Sequence, residues 1–410
     1  YFHSFDLSGE AVARGQALAQ AAGLANIRIE QTDIMDVTAT MAPASYDYII
    51  AHGVYAWVPS HVRAAIMALA GRALAPDGIF FVSYNAMPGG HVRQIMRDML
   101  LHVLMHIETI EGRIAAARRF LTDYAVPQEG DDAVVTAMRA QAVAMLGRPD
   151  AVLFHDELGD CYAPQYLSEV IAAAGDHGLE FLGDAGIKRL NDGFLPADIA
   201  ASDDPTAQIV QRAQADDFSA MRFFRQSIFV RSGRRMARSQ QVDRVVNCHA
   251  AGLFSGTEDG GIRVGEVEFV LRDAELMRRL LDMGATWPAY HSVSTLACTI
   301  EEQVALVELY SMGLLHLSTA PAPFSLTPPE RPMASALARA QIALGADTVT
   351  TLHFEQMRLD DPAARTFILL LDGTRDHEAL SQAWTEIPHD PTISIEQALH
   401  VIARQRLMLP

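Results

Sequence analysis

The sequence has few cysteines, almost no lysine and no long apolar run. Its 410 residues include three cysteines, Cys161, Cys248 and Cys298, which are far apart and form no Cys-x-x-Cys pair. This spacing argues against a disulfide framework and a structural zinc site, and it favours a reducing compartment, which we expect to be the cytoplasm. No uninterrupted apolar run approaches the roughly 18 to 20 residues that span a bilayer, so we expect no membrane insertion.

Basic residues are scarce as well. The chain has 32 of them against 50 acidic residues, a formal charge of −18, and Lys188 is its single lysine. The electrostatic field of a negatively charged protein repels phosphate backbones, so the composition argues against a general nucleic-acid binder. We attribute the preference for arginine to genome composition. Half of the residues are apolar, which indicates an ordinary globular protein of two or three domains.

Several common catalytic motifs are missing, among them Gly-x-Ser-x-Gly, His-Glu-x-x-His and Gly-x-x-x-x-Gly-Lys. One cluster, His155-Asp-Glu157 with Asp160 and Cys161, contains residue types that bind metals. Its spacing matches no known metal site. We therefore interpret it as an acidic patch at a helix end and assign no metal ligands.

Strands and helices alternate in the first part of the chain. Ser8 is a good N-cap and Gly23 a helix stop, and residues 62–73 carry apolar side chains at the helical period. The predicted strands are residues 1–7, 27–30, 46–51 and 79–84, the last preceded by an Ala-Pro-Asp-Gly turn at 75–78. This alternation predicts a parallel sheet with helices on both faces.

The helical character then dominates up to about Leu146, with one apolar stripe formed by Val92, Ile95, Met96, Met99, Val103 and Ile107. The alternation returns with a helix at 164–177 and strands at 179–182 and 223–230. Between these two strands lies an irregular stretch at 201–205 and no regular helix, so we expect them to form an antiparallel closing pair.

From about Arg238 a different α+β unit begins. A hairpin around Gly260-Gly261 and helices at 274–283 and 301–312 are typical of a winged-helix-like module. We predict a core at 1–91 and 164–235, a helical regulatory insertion at 92–163, a winged-helix-like domain at 238–320, a proline-rich linker at 321–332 and a small helical or winged-helix-like unit at 333–410.

Candidate ligand-binding residues lie where predicted strands end, because ligands of open α/β sheets bind at the carboxyl edge. Asp6 ends the first strand and could accept both hydroxyls of a ribose. Asp33 follows the second strand and could accept the exocyclic amine of adenine, while Ile34 covers the ring. The alternative for each acid is a solvated loop residue.

The most unusual stretch is Tyr46-Asp-Tyr-Ile-Ile-Ala-His-Gly-Val-Tyr-Ala-Trp57. A buried strand here delivers His52, Tyr55 and Trp57 to the same edge, where aromatic rings favour a sulfonium or an ammonium group. The alternative is that Tyr55 and Trp57 pack under the helical insertion, and that His52 is a hydrogen-bonded loop residue. Asn85 could bind a substrate amine or cap the turn that follows it.

These residues resemble the class I S-adenosylmethionine-dependent methyltransferases that carry a methyltransferase regulatory domain, similar to bacterial protein-lysine methyltransferases. The resemblance spans nearly the whole chain and depends on the order and spacing of short segments. They are Phe5-Asp-Leu-Ser8, Gly23-Leu-Ala-Asn-Ile27, Thr32-Asp-Ile34, the stretch Tyr46 to Trp57, Ser83-Tyr-Asn85, Pro88-Gly89, Phe154-His-Asp156, Gly178-Leu-Glu-Phe-Leu-Gly-Asp-Ala185, Asp217-Phe218, Arg222-Phe-Phe-Arg225, Trp287-Pro288 and Leu370-Leu-Asp-Gly-Thr-Arg375.

The resemblance implies a Rossmann-like sheet and S-adenosylmethionine as cofactor. The family's first strand and glycine-rich loop would precede Tyr1, so we expect an N-terminally truncated chain. The implied cofactor-binding residues are Asp6, Leu7, Asp33, Ile34 and His52. The implied catalytic residues are His52, Tyr55 and Asn85, and the implied substrate-binding residues are Tyr55, Trp57 and Tyr84.

The predicted activity is methyl transfer to an amine, with a protein lysine as acceptor. The expected partner is a protein substrate, and self-association into a homo-oligomer stays open. A nicotinamide-dependent oxidoreductase also places an acid after its second strand, but the antiparallel closing pair favours methyl transfer. The other alternative is a non-catalytic protein-binding module built on a truncated methyltransferase scaffold.

Overall fold

The computed structural model describes residues 1–186, 205–234 and 242–410, and the chain divides into two compact units. One, here the split unit, comprises Tyr1–Asp33 and Ala237–Pro410. The other, here the central unit, comprises Ile34–Met236. No helix in the described ranges is long and apolar enough to cross a membrane. Lys188 and most of the predicted irregular stretch at 201–205 lie outside the described residues.

The split unit begins with a β–α–β motif made of β1 (Phe2–Asp6), α1 (Gly9–Ala21) and β2 (Ile27–Gln31). The two strands pair in parallel, with Phe2 opposite Ile27 and Asp6 opposite Gln31. Ser8 caps α1 as predicted, because its Oγ accepts a hydrogen bond from the backbone N–H of Ala11 at 3.3 Å. The predicted strands and helix of this region are therefore present within one or two residues of their expected bounds.

The central unit contains a four-stranded sheet in the order β3-β4-β6-β5. Strands β3 (Tyr46–Ala51) and β4 (Leu74–Asn85) are parallel. Strand β6 (Phe224–Arg231) pairs antiparallel with both β4 and β5 (Leu179–Asp184), which confirms the predicted antiparallel closing pair.

The helices beside this sheet are α2 (Ile34–Thr40), α3 (Ser60–Ala73), α8 (Leu167–Gly175) and α9 (Pro205–Ser219). They share a core with the apolar side chains of the strands, among them Phe80, Val82, Phe181 and Phe229. The prediction that no regular helix separates β5 from β6 is wrong, because α9 lies there. Ile209, Val210 and Ala213 of α9 pack against this core, but the buried Asp216 and Asp217 interrupt the apolar period in the sequence.

The predicted turn at 75–78 is also wrong, because β4 runs through it from Leu74. The β3–β4 register shifts here: Tyr46 lies opposite Leu74, but Tyr48 lies opposite Ile79. The Ala-Pro-Asp-Gly residues are therefore an irregularity within a strand, a place where proline and glycine are tolerated in a sheet.

The helical insertion consists of α4 (Gly89–Val103), α5 (Ile110–Tyr124), α6 (Ala133–Leu146) and α7 (Asp150–Leu158). These helices share a core that includes Met96, Leu100, Leu121 and Met145. The predicted apolar stripe on α4 is correct for Met96 but wrong for Ile95 and Val103, which are exposed. Arg93 and Arg97 are buried on this helix instead.

The rest of the split unit contains small antiparallel sheets and short helices, which confirms the predicted α+β character. The hairpin around Gly260-Gly261 is present between β8 and β9. Helix α1 lies against helix α13 (Ala336–Ala343). The elements are a 3-10 helix (Val242–Asn247), β7 (His249–Ala251), β8 (Ser255–Gly256), β9 (Ile262–Val264), β10 (Val267–Phe269), α10 (Ala274–Ala285), β11 (His291–Ser292), α11 (Val293–Leu296), α12 (Ile300–Ser311), β12 (His316–Ser318), α13 (Ala336–Ala343), β13 (Thr348–Thr350), β14 (Gln356–Arg358), α14 (Pro362–Leu370), α15 (His377–Glu386) and α16 (Ile395–Arg404).

We predict that Gly89→Ala destabilises the central unit. Gly89 is the first residue of α4, and a Cβ atom there would lie 2.6 Å from the carbonyl oxygen of Arg222, which belongs to the backbone and cannot rotate away. We expect urea unfolding to show a loss of about 1 to 3 kcal/mol. Gly175→Ala is the matched control, because a Cβ at that helical glycine meets no atom within 4 Å. Equal stability of the two variants would contradict the prediction.

Candidate functional site

Asp6 and Asp33 lie at the same edge of the β1–β2 sheet. Asp6 is the last residue of β1, and Asp33 follows β2 by two residues. The backbone N–H of Thr32 donates to the carbonyl oxygen of Asp6 at 3.1 Å, which joins the two strand ends. Parallel pairing therefore brings the two predicted carboxylates to the carboxyl edge of one sheet, where ligands of this fold class bind.

The Asp6 carboxylate is exposed and only partly used by the protein. Its Oδ1 accepts a hydrogen bond from the backbone N–H of Ser8 at 2.7 Å, and within the described part of the chain no donor contacts Oδ2. Leu7 beside it is exposed, and Asp33 is half-buried. Ile34 begins α2 and packs, partly buried, against the core of the central unit.

A second group of predicted residues follows β3. Ser83, fully buried on β4, fixes the start of this loop: its Oγ accepts a hydrogen bond from the N–H of Gly53 at 2.9 Å and lies 2.9 Å from Nδ1 of His52. The exposed imidazole of His52 is thus held at one nitrogen, and its ring lies 5.9 Å from that of Phe81. Ser83 was not predicted, although a single serine in the apolar run Ile79-Phe-Phe-Val-Ser83 is a visible signal.

Tyr55 lies in the 3-10 turn Tyr55–Trp57 and is buried, with 2% of its surface exposed. Burial raises the pKa of the Tyr55 phenol, and the nearby Arg63 only partly offsets that effect. The phenol therefore stays protonated at neutral pH, which suits a hydrogen-bonding role and not that of a base. No hydrogen bond joins its hydroxyl to any residue in the described ranges.

Tyr84 is a core residue in the structure. It is 1% exposed, its ring lies 6.1 Å from that of Tyr55, and its hydroxyl is hydrogen-bonded to Oγ of Ser227 at 3.2 Å. Burial raises the pKa of this phenol strongly. The predicted role of Tyr84 in substrate binding therefore has no exposed surface to support it, and its placement favours packing.

Asn85 ends β4, next to Tyr84. Its side chain is 7% exposed, and its backbone carbonyl accepts a hydrogen bond from the N–H of Gln165 at 2.9 Å. Among the residues that the structure describes, none is hydrogen-bonded to its carboxamide. Asn85 lies at the carboxyl end of β4, the kind of edge at which ligands of this fold class bind, so its carboxamide is a candidate for contact with a bound group.

Trp57 contacts the helical insertion. Its ring lies 5.0 Å from that of Tyr162, and the guanidinium groups of Arg93 and Arg97 lie 5.0 and 5.8 Å from its centre. Cations of the protein itself therefore already interact with this ring. This geometry favours the alternative that Trp57 packs under the insertion over direct contact with a substrate.

The acidic cluster at the end of α7 pairs with arginines. Glu157 is fully buried and accepts hydrogen bonds from Arg93 at 2.5 and 3.1 Å, and Arg148 lies 3.3 Å away. Burial alone would raise the pKa of Asp156, but hydrogen bonds from His155 and Arg93 lower it overall. No group of metal-binding side chains occurs in the described ranges.

A second buried ion network lies behind Tyr84. Arg225 and Asp217 are fully buried, with Nε of Arg225 at 2.9 Å from a carboxylate oxygen of Asp217. Arg225 also contacts Asp184, which accepts a hydrogen bond from Ser227 at 3.2 Å. Burial raises the pKa of Asp217 although Arg225 opposes that effect. In the sequence, Asp217 and Arg225 stand out only because they belong to segments that carry the family resemblance.

Three family models match parts of the chain. A methyltransferase domain matches residues 1–115, a predicted methyltransferase regulatory domain matches residues 149–231, and the C-terminal winged helix domain of PKMT matches residues 330–406. The regulatory-domain match overlaps the helical insertion only at its end. A regulatory role for the insertion at 92–163 and the other predicted domain boundaries stay predictions.

Solved structures share this fold over the whole chain. PKMT2 from Rickettsia typhi superposes with a TM-score of 0.82 at 19% identity, covering 100% of this chain and 89% of that chain. Its complex with AdoHcy superposes with a TM-score of 0.81, at the same identity and coverage. The likeness confirms the predicted fold class, a Rossmann-like methyltransferase sheet with a C-terminal winged-helix region.

Curated relatives are more similar in sequence but longer. An uncharacterized protein of Rickettsia prowazekii is 29% identical over 248 residues, which is 60% of this chain and 44% of the relative. An uncharacterized protein of Synechocystis is 23% identical over 236 residues, 56% of this chain and 46% of the relative. The matched parts thus span somewhat less than half of these two relatives.

Proposed function

Because the chain belongs to the class I methyltransferases that carry a methyltransferase regulatory domain, we propose that it transfers a methyl group from S-adenosylmethionine to an amine. The observation that carries the proposal is the pair of carboxylates, Asp6 and Asp33, at the carboxyl edge of two paired parallel strands. The acceptor that we propose is a lysine side chain of another protein.

The residues at the β1–β2 edge fit the adenosine part of this cofactor. A ribose presents two vicinal hydroxyl donors, and the exposed Asp6 carboxylate has lone pairs that the described protein groups do not use. Asp33 would accept the exocyclic amine of adenine, and Leu7 follows Asp6 as an exposed apolar residue. When bound, S-adenosylmethionine supplies a methyl group already activated on a sulfonium.

The residues around β3 and β4 fit an amine acceptor. A lysine amine with a pKa near 10.4 must lose its proton before it attacks. The side-chain oxygen of Asn85, which no described residue contacts through a hydrogen bond, can accept an N–H of the amine and so hold its lone pair in one direction. The protonated phenol of Tyr55 offers a further hydrogen-bonding group, and the exposed imidazole of His52 can carry a proton away.

A protein acceptor suits the charge of the chain. With a formal charge of −18, the protein attracts basic segments of other proteins and so favours encounters with lysine-rich surfaces. We also propose a cytoplasmic location, because all three cysteines are free thiols, which persist in a reducing compartment.

The proposal is tested by incubating the full-length protein with methyl-labelled S-adenosylmethionine and a cell extract, followed by peptide mapping of the label. We expect label on lysine side chains of other proteins. The proposal would be overturned if the protein bound the cofactor but labelled no acceptor. If such an inactive protein still bound another protein, the alternative of a non-catalytic binding module would be favoured.

We predict that Asn85→Ala lowers kcat roughly 3- to 10-fold, because it removes one neutral hydrogen bond to the acceptor, worth about 0.5 to 1.5 kcal/mol. The affinity for S-adenosylmethionine, measured by calorimetry, should be unchanged. Asn26→Ala, at an exposed asparagine before β2, is the control and should keep full activity. An unaltered kcat in Asn85→Ala would exclude this role for the carboxamide.

A further inference from the structure

We propose that the segment of residues 162–165, here the strap, sets the position of the Tyr55 turn relative to Asn85. The strap follows α7 and lies within the part of the chain that matches the regulatory-domain model. This inference rests on the proposed function, because it concerns the two groups to which we assign the acceptor amine. Tyr162 is the positioning residue, and it does not itself contact the acceptor.

The backbone of the strap is hydrogen-bonded to both groups. The N–H of Ala163 donates to the carbonyl oxygen of Ala56, next to Tyr55, at 2.8 Å. Two residues later, the N–H of Gln165 donates to the carbonyl oxygen of Asn85 at 2.9 Å, and the carbonyl of Gln165 accepts from the N–H of Met87 at 3.0 Å. One short extended segment therefore fixes the 3-10 turn against the end of β4.

The side chain of Tyr162 determines where the strap lies along the turn. Its ring is 5.0 Å from that of Trp57, the last residue of the same turn. The guanidinium groups of Arg93 and Arg97 lie 5.7 and 5.0 Å from the centre of the Tyr162 ring, and both also approach Trp57. The two rings are thus held together by two cations from α4.

The two arginines have little freedom to move. Arg93 is hydrogen-bonded to the fully buried Glu157 and to Asp156. Arg97 donates to the backbone carbonyls of Asp156 and Gly159, and its own burial lowers its pKa. A displacement of either guanidinium would leave buried charges without partners, which is strongly unfavourable. The helical insertion therefore fixes Tyr162, and Tyr162 fixes the strap.

Through this arrangement, the region that matches the regulatory-domain model is connected physically to Tyr55 and Asn85, the residues to which we assign the acceptor amine. A shift of α7 or α4 would move Tyr162 and, with it, the hydrogen bonds at Ala56 and Asn85. Reactivity depends steeply on alignment, and a displacement of about 1 Å in a positioning group can lower a rate by a factor of about 100. The strap is therefore a place where that region controls catalysis without touching the cofactor.

The test compares Tyr162→Ala with Tyr162→Phe in the full-length protein. We expect Tyr162→Ala to lower kcat about tenfold and to leave the affinity for S-adenosylmethionine within twofold of the wild type. The conservative Tyr162→Phe variant keeps the ring and should restore activity, since the hydroxyl makes only a long contact, 3.5 Å, with the Gly90 carbonyl. The fluorescence of Trp57, identified by subtracting the spectrum of Trp57→Phe, should change in Tyr162→Ala alone.

Tyr124→Ala is the matched control. Tyr124 also packs against an arginine of the central unit, with the guanidinium of Arg139 at 5.3 Å, but it lies on α5 and not in the strap. It should lower the unfolding temperature without changing kcat. If Tyr162→Ala does not fold, Arg97→Met, which removes one of the two cations and keeps an apolar chain, should show the same loss of kcat.

The outcomes separate this inference from the proposed function. A wild-type protein that methylates no acceptor would overturn the proposed function whatever the variants do. An active wild type together with a folded Tyr162→Ala variant that keeps full kcat would overturn the inference alone. A loss in Tyr124→Ala as large as that in Tyr162→Ala would also overturn it, because the effect would then be one of general stability.

Discussion

Replacement of Asp6 by alanine should weaken the binding of S-adenosylmethionine about 10- to 100-fold. The exposed carboxylate ends β1 and retains an oxygen that no described donor uses, so it can accept the ribose hydroxyls. Hydrogen bonds to a charged group are worth about 1.5 to 3 kcal/mol, and every 1.4 kcal/mol corresponds to a factor of ten in affinity. Calorimetry with the full-length protein measures the effect directly.

The loss should be the same for S-adenosylhomocysteine, because both molecules share the adenosine that Asp6 would contact. Asp6→Asn, which keeps an acceptor oxygen but not the charge, should fall between alanine and the wild type. Glu10→Ala, at an exposed acid in the first turn of α1, is the control and should bind normally. Unchanged affinity in Asp6→Ala would remove the main support for the cofactor site.

The strand-end residues could be predicted because sheet topology alone determines where they lie. Strand β3 was predicted with its observed bounds, Tyr46–Ala51, and Asp6 and Asp33 follow from the parallel pairing of β1 with β2. In each case a local pattern of apolar residues defines the strand, and the edge at which ligands bind follows from its direction.

The partners of the candidate residues could not be predicted, because they depend on contacts between distant parts of the chain. Trp57 meets Tyr162, and Arg93 meets Glu157, across separations of 105 and 64 residues, which no periodic pattern records. The spacing of Arg93 and Arg97 by four residues places both on one face of α4, a signal that the apolar stripe obscured. Helix α9 was missed for a related reason, since charged residues form part of its buried face.

The largest expected effect on stability is that of Arg225→Leu. Arg225 and Asp217 are fully buried, and Asp184 is the other acid that Arg225 contacts. Removal of the arginine leaves Asp217 with Arg222 as its remaining cationic partner. Removing one partner of a buried ion pair typically costs about 3 to 5 kcal/mol. We expect urea unfolding of the full-length protein to show a loss of this size.

The loss of stability in Arg225→Leu should also depend on pH, and the protonation of Asp217 determines in which direction. Burial already raises the pKa of this carboxyl in the folded protein, and loss of Arg225 should raise it further. A carboxyl with a raised folded-state pKa stabilises the fold below its unfolded-state pKa, near 3.9, and loses that contribution as pH rises through the folded value. The deficit of Arg225→Leu should therefore be larger at about pH 8 than at about pH 5.

Arg278→Leu is the control for this variant. Arg278 also pairs with two acids, Glu275 and Asp282, both at 2.7 Å, but all three side chains are exposed on α10. Water screens such pairs, so we expect little change in stability at either pH. A deficit of Arg225→Leu that stays constant between the two pH values would show that lost packing, and not the uncompensated charge of Asp217, causes the destabilisation.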